Sequence, residues 1–258
     1  MHSETLPLPE AFDKYAERGA YHWEESDPTS RQFNPPLVAR YRLVADMVAE
    51  QAAARERAGT HLAHGAEPPA ARIGDVLDVG CGDGYLLSLV APYVDCAVGI
   101  DTEAAGVVEA RRKLDGMDHV TVDQGDGYRL DYDDGRFDAV LLTDVIEHLT
   151  DPDRCLKEIR RVLRPGGRLV LTTPKWRADR MWDERHVQEF KPEELTALLE
   201  RHFEDVDLTY FWPSAWSSFY ATKIGWRLTK IIARLANPFV RSGRDPRGFG
   251  QIMAVCTV

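Results

Sequence analysis

From Asp75 onward the chain alternates short apolar runs with stretches of helical character. The runs are DVLDVG, CAVGID, HVTVDQGD, FDAVLLTD and GRLVLTTP, and residues 85–92, 103–114 and 152–163 between them can each form a helix. This alternation predicts βαβ units and a mainly parallel α/β sheet. The helix at 152–163 opens on Asp151 as N-cap with Pro152 in the first helical position, and Pro165-Gly166-Gly167 ends it. Upstream, residues 37–57 set Val38, Tyr41, Val44, Ala45, Val48 and Ala52 at helical spacing among Arg40, Arg42, Asp46 and Glu50, which predicts an amphipathic helix. Downstream, 192–201 reads as a helix, VDLTYFW as a strand and GQIMAVCTV as the final strand. The Ala-, Gly- and Pro-rich AGTHLAHGAEPPAARIG is a connector, so His61 and His64 read as surface residues.

Bulk properties narrow the classes. A chain of 258 residues with 44% hydrophobic composition can bury one α/β core. We divide it into an N-terminal helical segment, 1–71, and a core, 72–258, with 213–248 as an insertion. The net charge of -10 argues against a nucleic-acid partner, since phosphate backbones attract clustered Lys and Arg. Cys81, Cys96, Cys155 and Cys256 lie far apart without ligand-like spacing, which predicts reduced thiols and a cytoplasmic setting. No leader-like run or spanning segment is read, and a monomer or homodimer is expected.

The strongest local signal is VLDVGCGDGYLL, a strand running through Gly80, Gly82 and Gly84 into a helix. Glycines there permit a tight turn and close approach of a nucleotide-like ligand beyond the strand ends. Asp101, at the end of the next run, is placed to accept bonds from ribose hydroxyls. Tyr85 stands where a dinucleotide fingerprint wants Gly or Ala, which weakens a nicotinamide oxidoreductase reading. Asp78 adds negative charge suited to an ammonium or sulfonium, which tilts the site toward S-adenosylmethionine. Asp126, in GDGY, can also be read as a turn cap.

VLDVGCGDG, GID, QGD, FDAVLLTDVIEHL and LRPGGRLVLTTP resemble, in order and spacing, the class I S-adenosylmethionine-dependent methyltransferases, particularly the ubiquinone/menaquinone-biosynthesis-like type 11 group. The resemblance covers about residues 75–174, more weakly HVQEFKPEELTALLERHFEDV. It implies a Rossmann-like, seven-stranded, mainly parallel sheet with helices on both faces and the last strand antiparallel, a role GQIMAVCTV would fill. It further implies that Gly80, Gly82 and Gly84 wrap the methionine end, Asp101 holds the ribose, Asp126 bonds the adenine amino group and Asp144 lies near the methionine or the transferred methyl.

Methyl transfer from a sulfonium is a displacement that rests largely on placement. A hydroxyl acceptor must also lose a proton, for which His is suited near neutrality. His186, after the fifth run, is the first candidate base; His148, in DVIEHL, is the second, with a packing role as its competitor. Asp144, Asp183, Glu184 and Glu189 offer oxygen ligands, but their spacing demands no metal, so a divalent cation is allowed and none is expected. Tyr15 and Trp23, in an aromatic N-terminal stretch, are candidate lid residues that can face a sulfonium. Residues 213–248 carry seven Lys and Arg against Asp245 alone, with Lys223, Arg227, Lys230 and Arg234 at helical intervals beside apolar residues. Such a helix can dock on an anionic membrane, meet a partner or roof the pocket. The expected activity is O-methylation of a small molecule, with a saccharide or quinone-like phenol leading. N-methylation of a small amine and non-catalytic cofactor binding are the alternatives.

Overall fold

A computed structural model of the chain describes residues 14–59, 72–178 and 183–258; His61 and His64 lie outside them. Three helices lead in: α1 (Lys14–Arg18), α2 (Tyr21–Ser26) and α3 (Pro35–Gly59). The alternating region then runs β1 (Ile73–Val79), α4 (Tyr85–Val90), β2 (Val94–Asp101), α5 (Ala104–Lys113), β3 (Val120–Gln124), β4 (Phe137–Thr143), α6 (Pro152–Val162) and β5 (Leu163–Pro174). After it come α7 (Pro192–Leu199), β6 (Asp205–Pro213), α8 (Ser214–Tyr220), α9 (Lys223–Ala233), β7 (Ser242–Gly243) and β8 (Phe249–Thr257).

Successive strand residues point to opposite faces of a sheet, and here both faces are apolar. Val76, Ala97, Leu141, Val170 and Met253 meet Tyr41, Val44 and Val48 of α3, Leu87 of α4 and Val107 of α5. Their neighbours Leu77, Val98, Val140, Leu142 and Leu169 meet Leu156 and Ile159 of α6 and Leu195 and Leu199 of α7. Burying one such side chain contributes roughly 1.5–3 kcal/mol, so the two cores hold the layers together more than helix propensity does.

The strands lie in the order β3-β2-β1-β4-β5-β8-β6-β7. β1 to β5 pair in parallel, while β8 is antiparallel to both β5 and β6. The sheet has eight strands rather than seven, because the two-residue β7 adds to the edge along β6 at Tyr210 and Phe211. Asp151 does cap α6, accepting from Arg154 N at 3.1 Å. α6 ends at Val162, just before Pro165-Gly166-Gly167, and the tripeptide itself lies within β5. Pairing with β4 jumps there from Phe137–Leu163 to Ala139–Arg168, since Pro lacks a ladder donor and Gly166 has φ +75°. All five parallel strands end on one side, and order reverses between β1 and β4, which opens a crevice at their carboxyl ends.

Candidate active site

The bend after β1 depends on its glycines. Gly80, Gly82 and Gly84 have φ of +80°, +55° and +76°. A Cβ on Gly80 would collide with Val145 Cγ2, and one on Gly82 with the Tyr15 hydroxyl. The first lid candidate therefore rests directly on the bend. Asp101, at the tip of β2, accepts from Gly82 N and Glu103 N, each at 2.8 Å, so its carboxylate fixes the bend from below. Burial raises its pKa against the pull of those two N–H groups. Asp78 is 2% exposed, and burial, with the charge of Asp101 behind it, pushes its carboxyl up to about 8.

Two acids that the sequence reading left unassigned hold the N-terminal segment on this bend. Glu103 Oε1 accepts from Tyr15 N at 2.7 Å and from Ala16 N at 3.2 Å, which satisfies the open start of α1. Asp83, fully buried, accepts from His22 N at 2.9 Å and bonds His22 Nδ1 at 3.0 Å, while its carbonyl takes the Trp23 indole N–H at 2.9 Å. Trp23 thus anchors the segment from outside, edge-on to Tyr85 at 5.4 Å. Asp83 sits inside the glycine turn, between Gly82 and Gly84, which is its signal in the sequence, but only the fold brings His22 to it. Asp126 is exposed, and its Oδ1 accepts from Tyr128 N at 2.8 Å and Arg129 N at 3.1 Å, so one oxygen already serves as the turn cap.

Across the crevice, Asp144 follows β4 in a left-handed conformation, φ +51°. It pairs with Arg40 of α3 and accepts from Thr172 Oγ1 at 2.9 Å. Sequence spacing placed Arg40 among the polar residues of an amphipathic helix; the structure turns it into the site. Burial works against its charge, but Asp144 and Glu147 override that and hold the guanidinium well above its ordinary value. Glu147 is 1% exposed; its Oε2 accepts from Thr173 Oγ1 at 2.9 Å, and its Oε1 has no hydrogen-bond partner among the described residues. Burial and the nearby Asp144 push this carboxyl far up.

The two histidines converge. The loop after β5 is tied to the Glu147 carbonyl through Val187 N at 2.9 Å and Gln188 N at 3.2 Å. Its Arg185 carbonyl bonds His148 Nδ1 at 3.1 Å, and the two imidazoles meet edge to face with centroids 5.0 Å apart. His186 Nδ1 stands 2.7 Å from Glu189 Oε1, the side chains being 7% and 1% exposed. A carbonyl and a carboxylate both accept, so each Nδ1 carries the hydrogen and each Nε2 a lone pair when the ring is neutral. Burial lowers the His148 pKa, which favours the neutral ring. Glu147, His148 and His186 each offer a ligand atom within 4.8 Å of the others. Of the acids named as available oxygen ligands, Glu189 backs His186, and Asp183 Oδ1 accepts from Arg185 N at 2.9 Å.

The insertion only partly matches the expected basic face. Lys223, Arg227 and Arg234 are exposed, whereas Lys230 turns inward to the Arg31 carbonyl at 2.8 Å. With Asn237 on the Pro35 carbonyl at 2.7 Å, it clamps α9 to the start of α3. The outer side of α9 is an apolar stripe, Ile224, Leu228 and Ile231, continued by Leu235 at 91% exposure. Among the described residues no helix is long and apolar enough to cross a membrane.

Comparison with known proteins bears on this site. A family model for a methyltransferase domain matches residues 77–171. A probable S-adenosylmethionine-dependent methyltransferase of Mycolicibacterium smegmatis is 35% identical over 131 residues, 49% of this chain and 50% of that protein. Norajmaline N-methyltransferase of Rauvolfia serpentina is 29% identical over 177 residues, 66% of this chain and 59% of that one. The chain spans about half the length of the curated relatives it matches. Among solved structures, a Haloferax volcanii methyltransferase in complex with the activator Trm112 aligns with TM-score 0.61 at 20% identity, covering 95% of this chain and 96% of that one. At this identity the likeness speaks for the fold alone.

Proposed function

Residues 77–171 being a class I S-adenosylmethionine-dependent methyltransferase domain, we propose that the protein moves the methyl group of S-adenosylmethionine onto a hydroxyl oxygen of a small acceptor, a saccharide or a quinone-like phenol. In this reading the bend of Gly80, Gly82 and Gly84 receives the methionine end, and Asp78 its ammonium. Asp101 adds the ribose hydroxyls to the two N–H groups it already accepts, and the remaining oxygen of Asp126 takes the adenine amino group. Asp144, fixed by Arg40 and Thr172, borders the methyl. Tyr15 and Trp23 belong to a segment, within 1–71, that closes over the cofactor. A cytoplasmic setting is supported by the four cysteines, all free and three of them buried.

The observation that carries oxygen methylation is the pair of imidazoles. As the C–O bond forms, the acceptor oxygen must shed its proton, and His186 and His148 offer two Nε2 lone pairs beside the crevice, each ring locked through Nδ1. These are the groups we assign to promoting that ionisation. His186→Ala should lower kcat by about 10²–10⁴ while leaving S-adenosylmethionine affinity unchanged, measured by turnover and calorimetry on the same preparation. Near-normal turnover would remove the assignment. A second reading, methylation of a small amine, is favoured by the Rauvolfia relative. An acceptor screen with labelled methyl donor separates the two, because an amine needs only to arrive unprotonated and so is less sensitive to loss of His186. The exposed stripe of α9, flanked by Lys223, Arg227 and Arg234, supports contact with an anionic membrane, a source of apolar acceptors.

A further inference from the structure

We infer that Glu147, His148 and His186 hold a divalent transition-metal cation, which takes the acceptor oxygen as a further ligand. Three observations carry this. The three ligand atoms already lie within 4.8 Å of one another, although they come from two different loops. Each histidine is oriented in the way metal-bound histidines are, with Nδ1–H donated to a fixed acceptor, and the nitrogen that would ligate is then Nε2. For His148 that acceptor is the Arg185 carbonyl, for His186 the Glu189 carboxylate. Finally, Glu147 is 1% exposed and keeps one carboxylate oxygen without a hydrogen-bond partner among the described residues, a buried acceptor that a bound ion would satisfy.

Arg40, whose charge bears on Glu147, is itself paired with Asp144. Two imidazoles and one carboxylate suit zinc, iron(II), cobalt(II) or manganese(II) better than magnesium or calcium, which favour all-oxygen cages. Three protein ligands leave a position open for substrate. The site stands on geometry; what it does rests on the reading of an oxygen acceptor given above. Bound to the cation, the hydroxyl loses its proton to solvent at a lower pH than when free. The resulting oxyanion attacks the methyl carbon, the C–O bond forms, the C–S bond breaks, and its electron pair stays on sulfur as the neutral thioether. His186 and His148 then act through the cation, and Glu189 is a positioning residue behind His186.

The test is cobalt(II) titration of the chelator-treated full chain, followed by visible absorption and calorimetry, with zinc as competitor. One cobalt per chain is expected, displaced by zinc. Glu147→Gln, His148→Ala and His186→Ala should each abolish it while S-adenosylmethionine affinity, measured in parallel, shows the fold intact. Glu189→Gln should weaken cobalt by about 10–100-fold. Failure to bind one equivalent, or cobalt retained by the double variant His148→Ala/His186→Ala, overturns the site. Full turnover of a hydroxyl acceptor by metal-free enzyme overturns the cation's role yet keeps oxygen methylation. Cobalt bound in the expected pattern with only amines methylated keeps the site and removes the oxygen reading.

Discussion

Asp78 and Asp101 show how one residue can serve both the fold and the ligand. Folded Asp78 keeps its proton up to about pH 8, against an ordinary value of 3.8, because burial and Asp101 disfavour its charge. Between those two values the folded state binds more protons than the unfolded one, so the cofactor-free protein should lose stability as pH rises through that window. An ammonium placed beside Asp78 favours the ionised form. S-adenosylmethionine affinity should therefore rise as pH climbs toward about 8, with a proton released on binding, which calorimetry in buffers of different ionisation heat will register. A flat affinity with no proton release would place the ammonium elsewhere. Asp101→Ala removes the acceptor for two backbone N–H groups as well as for ribose. The expected result is a loss of about 1–3 kcal/mol in cofactor binding together with a lower melting temperature of the free protein; unchanged affinity would take Asp101 out of the cofactor site.

At the scale of elements, the N-terminal helices are held mainly by side chains of the core, since α1 and α2 have five and six residues and are too short to persist alone. Asp83 is the principal anchor: removing its carboxylate strands His22 N and Nδ1 in a buried place. Asp83→Ala should cost about 1–3 kcal/mol and show faster amide exchange across residues 14–26, with weaker cofactor binding. Exchange equal to that of the parent would mean the segment is seated by its aromatic contacts instead. The elements of the alternating region were legible because their signals are local: period, caps and glycines. Lys230 was not. Helical spacing assigned it to an exposed basic row, but docking of α9 on the start of α3 rotated that side of the helix inward, where the Arg31 carbonyl and the Trp226 ring meet it.

Over the whole molecule, charge is distributed unevenly. A chain of net charge -10 carries, in 213–248, seven Lys and Arg against one acid. The same segment presents Ile224, Leu228, Ile231 and Leu235 to solvent. Apolar insertion combined with cationic attraction predicts sedimentation with vesicles containing phosphatidylglycerol and not with phosphatidylcholine alone, weakening as salt rises. Ile231→Glu should abolish it. Equal binding by that variant, or a concentration-dependent dimer that covers the stripe, would replace the membrane by another occupant.

The sequence by itself determined the alternating α/β core, the glycine bend and the acids at the strand tips, because each is written in residues close together along the chain; that the final strand runs antiparallel was implied only by the family resemblance, since its partners β5 and β6 are distant in the chain. Tertiary structure decided what those groups meet. It brought Arg40 across 104 positions to Asp144, His22 across 61 to Asp83, and the loop of His186 onto Glu147 and His148. The added edge strand β7 arose in the same way, from two residues that pair only once β6 is in place. Such contacts join parts of the chain whose local patterns carry no trace of one another; their energy comes from burial and hydrogen bonding that exist only after the sheet and its helices have packed.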